Sequence, residues 1–389
     1  MPFLDPDLYS YCTDRQREVL ESIEREGGYR KAAKALGCHI SFPSKVVRDV
    51  RKKAALQGYA PSHDMTKTVP DGYLVKGVST LYGPDGEVKA QWVKSTADAE
   101  AREELFRQWV EVEVEQIKGL SPYVSPPTFC DSDILAVYPI GDQHHGMYAD
   151  AKETGDAYDC KIAERRLGGA IGHLASSSPP AETALLLNLG DYFHADDSRN
   201  VTPEHGNKLD VDTRYSSVMM SGATALIQAV LRLLEKHKTV HVWNMPGNHD
   251  PHAAVALSMA MHFYFHNEPR VIVDMGASLY KYMRFGKNLI ASHHGHGAKP
   301  NDLPLILAVD RPEDWAATTH RVWHCGHIHH KTLKEHPGVD VETHRTLAGT
   351  DAWHAGKGYR SKKDMSVIIY HREFGEVQRT RFDMQMLKS

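Results

Sequence analysis

Five short clusters in this 389-residue chain hold side chains able to bind metal ions: Asp142-Gln143-His144-His145, Gly190-Asp191, Gly247-Asn248-His249-Asp250, His293-His294-Gly295-His296 and Gly326-His327-Ile328-His329. Carboxylates, imidazoles and amides are costly to bury unpaired, so a cluster of them at the end of an apolar segment needs a partner. Oxygen and nitrogen donors of this hardness suit manganese, iron or zinc better than copper or a thiolate-bound ion. The histidines are lopsided as well. Of 25 in the chain, 23 follow residue 130, and histidine is the commonest metal ligand. The composition of the clusters points to a metal pair.

Each cluster needs an element to carry it. Thr239–Asp250 shows how: valine alternates with larger side chains as in a buried strand, then Pro246-Gly247 breaks the run and Asn248-His249-Asp250 follows. From Asp131 onward the same strand–loop–helix pattern recurs. Strands are expected over Ile134–Ile140, Thr183–Leu189, Asn288–Ser292 and Arg321–Trp323, with helices over Ile162–Ala175 and Tyr215–His237. Ligands of layered α/β folds sit beyond the carboxyl ends of strands, and all five clusters fall there. After His330, Met365–Tyr370 and Glu376–Phe382 read as a hairpin across Phe374-Gly375.

The order Asp-x-His, Gly-Asp, Gly-Asn-His-Asp, His, Gly-His-x-His over Ile134–His330 resembles the calcineurin-like metallophosphoesterases. The resemblance implies a four-layer α/β/β/α sandwich with a two-metal site. By that match Asp142, His144 and His329 hold one ion, Asn248 and His327 hold the other, and Asp191 bridges them. His294 completes the second ion's ligands, with His293 the alternate. Such an ion pair, manganese for preference and zinc or iron otherwise, lowers the pKa of a bound water for in-line attack on phosphorus and neutralises the phosphoryl oxygens. The leaving oxygen needs a proton or a positive neighbour, for which His249 is the candidate. Asp250 is expected to orient a neighbour. His173, His237, His262, His266, His336 and His371 read as structural, whereas His145, His194, His252, His296 and His330 flank the clusters. His354 stands outside them.

The front of the chain is different. Met1–Tyr11 is expected to be a loose arm. Thr13-Asp14-Arg15-Gln16 has the form of a capping box opening a helix to about Glu26, and Gly27-Gly28 ends it. A short helix over Tyr29–Leu36 and a third from Ser41–Ser44 to about Gln57 complete the size and spacing of a helix-turn-helix, which it resembles through Ala32-Ala33-Lys34-Ala35-Leu36-Gly37. The third helix carries Lys45, Arg48, Arg51, Lys52 and Lys53, and Asp14–Ala60 holds eleven Lys/Arg against six Asp/Glu. That asymmetry favours a helix set against DNA phosphates and the major groove. Gly83-Pro84-Asp85-Gly86 turns a hairpin or wing on which Trp92 is expected to pack toward the helices. Thr96–Gly119 reads as a charged helix, either a spacer or the dimerisation helix of a homodimer, and Ser121–Pro127 as an extended linker. The expected domains are 1–97, 98–130 and 131–389.

Composition bounds the rest. The balance of 41% hydrophobic and 25% charged residues is that of an ordinary globular protein, and the net charge of −4 confines any basic surface to a local patch. Five scattered cysteines without a Cys-x-x-Cys pair favour reduced thiols in a bacterial cytoplasm, or a host's if the chain is phage-encoded. Neither a charged-then-apolar leader nor an apolar run of membrane-spanning length is expected, so a membrane partner is not. Joined to a DNA-binding front, the metal site is expected to act as a DNA phosphodiesterase, by analogy with nuclease subunits of double-strand-break repair complexes. Phosphatase or small-nucleotide phosphodiesterase activity, and a DNA-binding regulator with a structural metal, are the alternatives. Gly356–Lys363 reads as a solvated basic turn, and Lys299 as a residue near enough to the fourth cluster to meet a phosphate.

Overall fold

A computed structural model describes residues 4–61, 73–82, 88–97, 118–276 and 278–388. The chain divides into two compact units, Met1–Glu113 and Val114–Ser389.

In the first unit, helix α1 (Asp14–Glu26) opens with the expected capping box. The Thr13 hydroxyl accepts from the Gln16 N–H, and the Gln16 side chain accepts from the Thr13 N–H. Helices α2 (Tyr29–Ala35) and α3 (Phe42–Leu56) follow, and Val19, Leu20, Ile23, Ala32, Val46, Val47 and Val50 share one core. The expected loose arm is a 3₁₀ turn over Pro6–Tyr11 whose Leu8 and Tyr11, with Leu4, join that core. Their spacing places them on one side of the turn, a stripe short enough to miss in a polar segment. Strands β1 (Tyr73–Tyr82) and β2 (Val88–Ala97) pair antiparallel. Trp92, opposite Ser79, is 57% exposed. The turn expected at 83–86 and most of the helix expected over 96–119 lie outside the described residues, while Thr96 and Ala97 end β2.

The second unit is a mixed α/β assembly of two sheets. Its elements in order are β3 (Asp131–Ile140), α4 (Ala151–Thr154), α5 (Cys160–Ser177), β4 (Ala181–Asn188), α6 (Tyr215–Leu234), β5 (Thr239–Asn244), α7 (Ala253–Tyr264), β6 (Val271–Val273), β7 (Lys281–Phe285) and β8 (Asn288–Ser292). Then come α8 (Leu303–Asp310), α9 (Pro312–Ala317), β9 (His320–Cys325), β10 (Thr332–His336), β11 (Val339–Thr343), α10 (Ala352–Gly356), β12 (Asp364–His371) and β13 (Gly375–Asp383). One sheet has the order β13-β12-β3-β4-β5-β6 and the other β10-β11-β9-β8-β7. Strands β3 to β6 run parallel, as do β8, β9 and β11.

Side-chain alternation sends each strand's two faces into different cores. Leu135, Val137, Leu185, Leu187, Trp243, Ile290, Val322 and Ile368 meet in a cluster shared by both sheets. The opposite face of the larger sheet, through Ala136, Tyr138, Leu186 and Val242, packs on residues of α5, α6 and α7. Leu289, Ala291 and Trp323 of the smaller sheet pack on Leu303 and Leu307 of α8. By length and composition α6, of 20 residues, is apolar enough to cross a membrane. Its Leu226, Val230, Leu233 and Leu234 lie in the core.

The segment expected as a free linker is tied to this unit. Gly119 and Ser121 N–H donate to the carbonyls of Phe263 and Tyr264, and Arg270 donates to the Val124 carbonyl at 2.8 Å. Strands β6, β7, β10 and β11 and helices α7, α8 and α9 add to the elements expected from sequence.

Candidate metal centre

The parallel strands deliver their carboxyl ends to one place. Leu189 N–H donates to the Ile140 carbonyl, Met245 to Asn188, and Gly326 to His294, so successive strand ends are stitched together just before the polar clusters begin. At the ends of β4 and β5, the in-register Asn188 and Asn244 hydrogen-bond side chain to side chain at 3.1 Å, and Asn188 also accepts from the Gly190 N–H. Neither asparagine was singled out from sequence, although each is the last residue of its strand.

Within this convergence the side chains form two adjoining groups, Asp142–His144–His329 and Asp191–His294–His327, in each of which the potential ligand atoms lie within 4.8 Å of one another. Asn248 joins the second, with its Oδ1 3.0 Å from His294 Nε2. The groups touch: His294 Nε2 is 3.2 Å from Asp191 Oδ2 and 4.0 Å from Asp142 Oδ1. All seven residues expected as ligands are thereby brought together. Between the two adjacent histidines the geometry selects His294. Its Nδ1 donates to the Leu189 carbonyl at 2.8 Å, which turns Nε2 into the cluster. His293 stacks between Tyr280 and His296 instead.

The backbone is strained at these positions. Among the described residues, six non-glycine residues have positive φ, and five of them are Asp142, His144, Asp191, His327 and His329, at 32°, 44°, 50°, 71° and 55°. The left-handed region costs an L-residue roughly 1–2 kcal/mol, so the surroundings must hold it there. They do: the His327 N–H donates to both Asp142 carboxylate oxygens at 2.9 Å, and His144 N–H donates to the Asp191 carbonyl. The chain also closes in where only glycine fits. A Cβ on Gly326 would lie 2.6 Å from Asp142 Oδ2, and one on Gly247 would lie 2.1 Å from Asp191 Oδ1.

A divalent cation fits this donor set. The ion-pair partners of Asp142 and Asp191 among the described residues are histidines, with no lysine or arginine. The Nε2 atoms of His144 and His329 face each other at 3.2 Å. Because His144 Nδ1 lies 3.2 Å from His194 Nδ1, a proton held there leaves the His144 Nε2 lone pair for the cluster. Burial, followed by His249 and His329, drives the His144 pKa well down, keeping the ring neutral as a ligand must be. Burial works against protonation of His294 as well, yet Asp191 beside it pushes this imidazole up to about 10. Burial likewise opposes ionisation of Asp191, but His294 holds its carboxyl well below the usual range. A proton on His294 and a divalent cation between the pair are alternative ways of compensating the same buried carboxylate.

Two residues of the Asn-His-Asp run do other work. His249 N–H donates to Asp191 Oδ1 at 2.8 Å, while its Nδ1 meets the His194 carbonyl at 2.9 Å. A carbonyl can only accept, so Nδ1 carries a hydrogen and Nε2 is the nitrogen left for a substrate. Asp250 is fully buried and accepts from the N–H groups of Asp191, Phe193 and Gly247 at 3.0–3.1 Å, clamping two loops together. Burial and then Asp191 push its carboxyl up to about 7. His194 is buried and groups with His144 and His249, so this flanking residue belongs to the cluster. Its position three residues beyond Asp191 in Gly-Asp-Tyr-Phe-His is the one sequence signal for it.

A second buried group, His324–Glu342–His344, lies apart from these residues. His324 bridges His344 and the Tyr370 hydroxyl at 2.9 and 3.0 Å, and Glu342 pairs with Arg379 and Lys331. With two cationic side chains already on its carboxylate, this group is a satisfied hydrogen-bond network.

In front of the first cluster lies a cavity of about 850 Å³ whose lining includes Asp191, His194, Asn248, His249, His327 and His329. Lys299 is exposed and is not among the residues that line it. In the first unit Lys45, Arg48, Arg51 and Lys52 are all exposed on α3, while Val46, Val47 and Val50 face its core.

No family model and no curated protein matches the chain. Among solved structures it is similar to a conserved uncharacterized protein of Streptococcus pneumoniae TIGR4 described as a predicted phosphoesterase, at 10% identity, covering 65% of this chain and 99% of that one, with a TM-score of 0.25. It is also similar to an archaeal phosphodiesterase, at 12% identity over 64% and 99% of the two chains with a TM-score of 0.31. A third is zinc-complexed Vps29 of Entamoeba histolytica, at 14% identity over 64% and 99% with a TM-score of 0.26.

Proposed function

We propose that the chain is a dinuclear metal-dependent phosphodiesterase of the calcineurin-like type, a four-layer α/β/β/α domain behind a helix-turn-helix, and that it cleaves DNA. The observation that carries this reading is the meeting of Asp142, His144, Asp191, Asn248, His294, His327 and His329 in one cluster, four of them buried and three half-buried, with five of the seven in a left-handed backbone conformation. Strain of this kind collects where a site must be held ready for a ligand. Two divalent cations, manganese for preference, would supply Lewis acidity and an activated water for attack at phosphorus.

The chain's own residues divide the remaining tasks. Asp191, whose Oδ2 lies 3.2 Å from His294 and whose Oδ1 accepts from the His249 N–H, is the carboxylate we assign to serve both ions. His249 lines the cavity with Nδ1 engaged, so Nε2 can hand a proton to the leaving oxygen as its bond to phosphorus breaks. Asp250 fixes the loops of Asp191 and Asn248 to each other. DNA as the substrate is supported by the exposed Lys45, Arg48, Arg51 and Lys52 on one helix of an otherwise acidic chain.

Purified protein incubated with manganese and labelled DNA tests this directly. Cleavage is expected from the wild type, none from Asp191→Asn, and reduced cleavage from the full-length variant with all four α3 cations replaced by alanine. Equal DNA cleavage by wild type and Asp191→Asn would remove the metal site from the chemistry. Turnover of a small chromogenic phosphoester that DNA does not compete with would instead assign the substrate to the phosphatase class.

A further inference from the structure

The 26 residues between β4 and α6, Leu189–Arg214, do more than connect two elements. Val201 and Lys208 form an antiparallel bridge, Thr202 exchanges backbone contacts with Gly206 and Asn207, and Asn200 accepts from Leu209. The result is a short hairpin. It is pinned at its base, where Met147 bridges Val211, Tyr148 N–H donates to the Asp210 carbonyl and Asp212 N–H donates to Gly146. Thr202, Asn207 and Lys208 of this hairpin line the cavity in front of the metal cluster. Tyr359, from the glycine-rich basic turn that followed no motif, lines it too and is 42% exposed.

Two features of this cavity bear on what enters it. The first is size. A volume of about 850 Å³ falls among cavities that enclose one small ligand, roughly 300–1,000 Å³. The second is charge. A groove that tracks a nucleic-acid backbone is uniformly positive, yet here Glu204 and Asp210 line the cavity beside Lys208. Carboxylates, an amide and a hydroxyl suit the donors and acceptors of a base edge, and an aromatic ring offers the stacking face that every base can use.

We propose that this cavity is a subsite for a single unpaired nucleotide, with Tyr359 stacking on the base, Thr202 and Asn207 meeting its edge and Lys208 meeting the flanking phosphate. The substrate class is then a single strand or a frayed end rather than an intact duplex. This rests on the phosphodiesterase reading for its chemistry, though binding in the subsite does not need the reaction.

The test separates the two. With the full-length protein in excess chelator, anisotropy of a labelled tetrathymidylate, too short to occupy α3 as a duplex groove would, reports subsite binding without hydrolysis. Tyr359→Ala is expected to weaken that binding by about tenfold or more, the loss typical of one stacked base, and Tyr359→Phe to restore it. Lys208→Ala is expected to weaken it and to flatten its salt dependence. With manganese present, the wild type is expected to degrade single strands well ahead of a relaxed, covalently closed duplex circle. Wild-type binding by both alanine variants, or equal cleavage of the closed circle and the single strand, would overturn the subsite. Failure of the wild type to hydrolyse a small chromogenic diester with any divalent cation would instead sink the phosphodiesterase reading and leave the binding result to stand by itself.

Discussion

The backbone N–H of His249 donates to Oδ1 of Asp191 at 2.8 Å, so the residue proposed to assist the leaving group is hung from the carboxylate proposed to bridge the metal ions. Both sit at strand ends 58 residues apart in sequence, and the contact exists because β4 and β5 are adjacent and parallel. Geometry at one of the pair therefore reports on the other.

These two loops pack tightly at Gly247. In Gly247→Ala the new methyl would meet Asp191 Oδ1 at 2.1 Å and the Asp191 nitrogen at 2.3 Å, neither of which can swing away. Overpacking of this kind typically costs 1–3 kcal/mol. The variant is expected to unfold at lower temperature and to bind manganese at least about tenfold more weakly, since outer contacts of metal ligands are commonly worth that much. Calorimetric titration with unchanged affinity would show that the loops tolerate the shift.

Asp250→Asn probes the clamp without adding bulk. The carboxylate accepts from three backbone donors. An amide offers one oxygen and turns an NH₂ toward a donor, so at least one buried N–H loses its partner at a cost of roughly 1–3 kcal/mol. Urea denaturation should show a lower midpoint with an unchanged slope. Stability equal to the wild type would mean that Asp250 is already protonated and donating.

His249→Asn should discriminate between substrates by their leaving groups. A DNA alkoxide needs a proton whereas a nitrophenolate does not, so DNA cleavage is expected to fall by about 10²–10⁴ and bis(p-nitrophenyl) phosphate hydrolysis by less than about tenfold. Equal losses on both substrates would reassign His249 to holding the Asp191 loop.

Acid should weaken the fold through histidines held neutral. His237 is fully buried between the Ala181 carbonyl and the Tyr138 hydroxyl, and burial brings its pKa down to about 4. Above pH 6.5 it is neutral in both states and adds no pH dependence. Below that the unfolded chain, with a histidine pKa near 6.5, takes up a proton that the folded chain refuses, so stability falls as pH falls, by about 3 kcal/mol on reaching pH 4. Stability measured between pH 7 and 4.5 should drop more steeply for the wild type than for His237→Gln. Parallel slopes would contradict the assignment.

The basic helix makes a separate, quantitative claim. Each α3 cation that neutralises a phosphate adds about 0.9 to the slope of log affinity against log salt. Arg51→Ala should therefore weaken binding to duplex DNA at low salt and lower that slope by about one unit. A slope unaffected by any of Lys45, Arg48, Arg51 and Lys52 would place the DNA elsewhere.

What the sequence determined about this protein was local. Apolar runs, alternating in β5 and β12, marked β3, β4, β5, β8, β9, β12 and β13, the Thr13–Gln16 capping box marked the start of α1, and the polar clusters stood where strands stop, because side-chain period and turn chemistry act over a few residues. The tertiary structure decided what depends on partners distant in the chain. It chose His294 over His293, since only the former reaches Leu189 and Asn248 from the neighbouring sheet. It drew His194 in beside His144, gave Asp250 its three donors, drew the first residues onto the helices, and brought the 200–209 hairpin and Tyr359 to line one cavity. The left-handed backbone at the ligands belongs with these, because an isolated aspartate or histidine has no reason to adopt it. Contacts between neighbouring strand ends and between the two sheets hold it there.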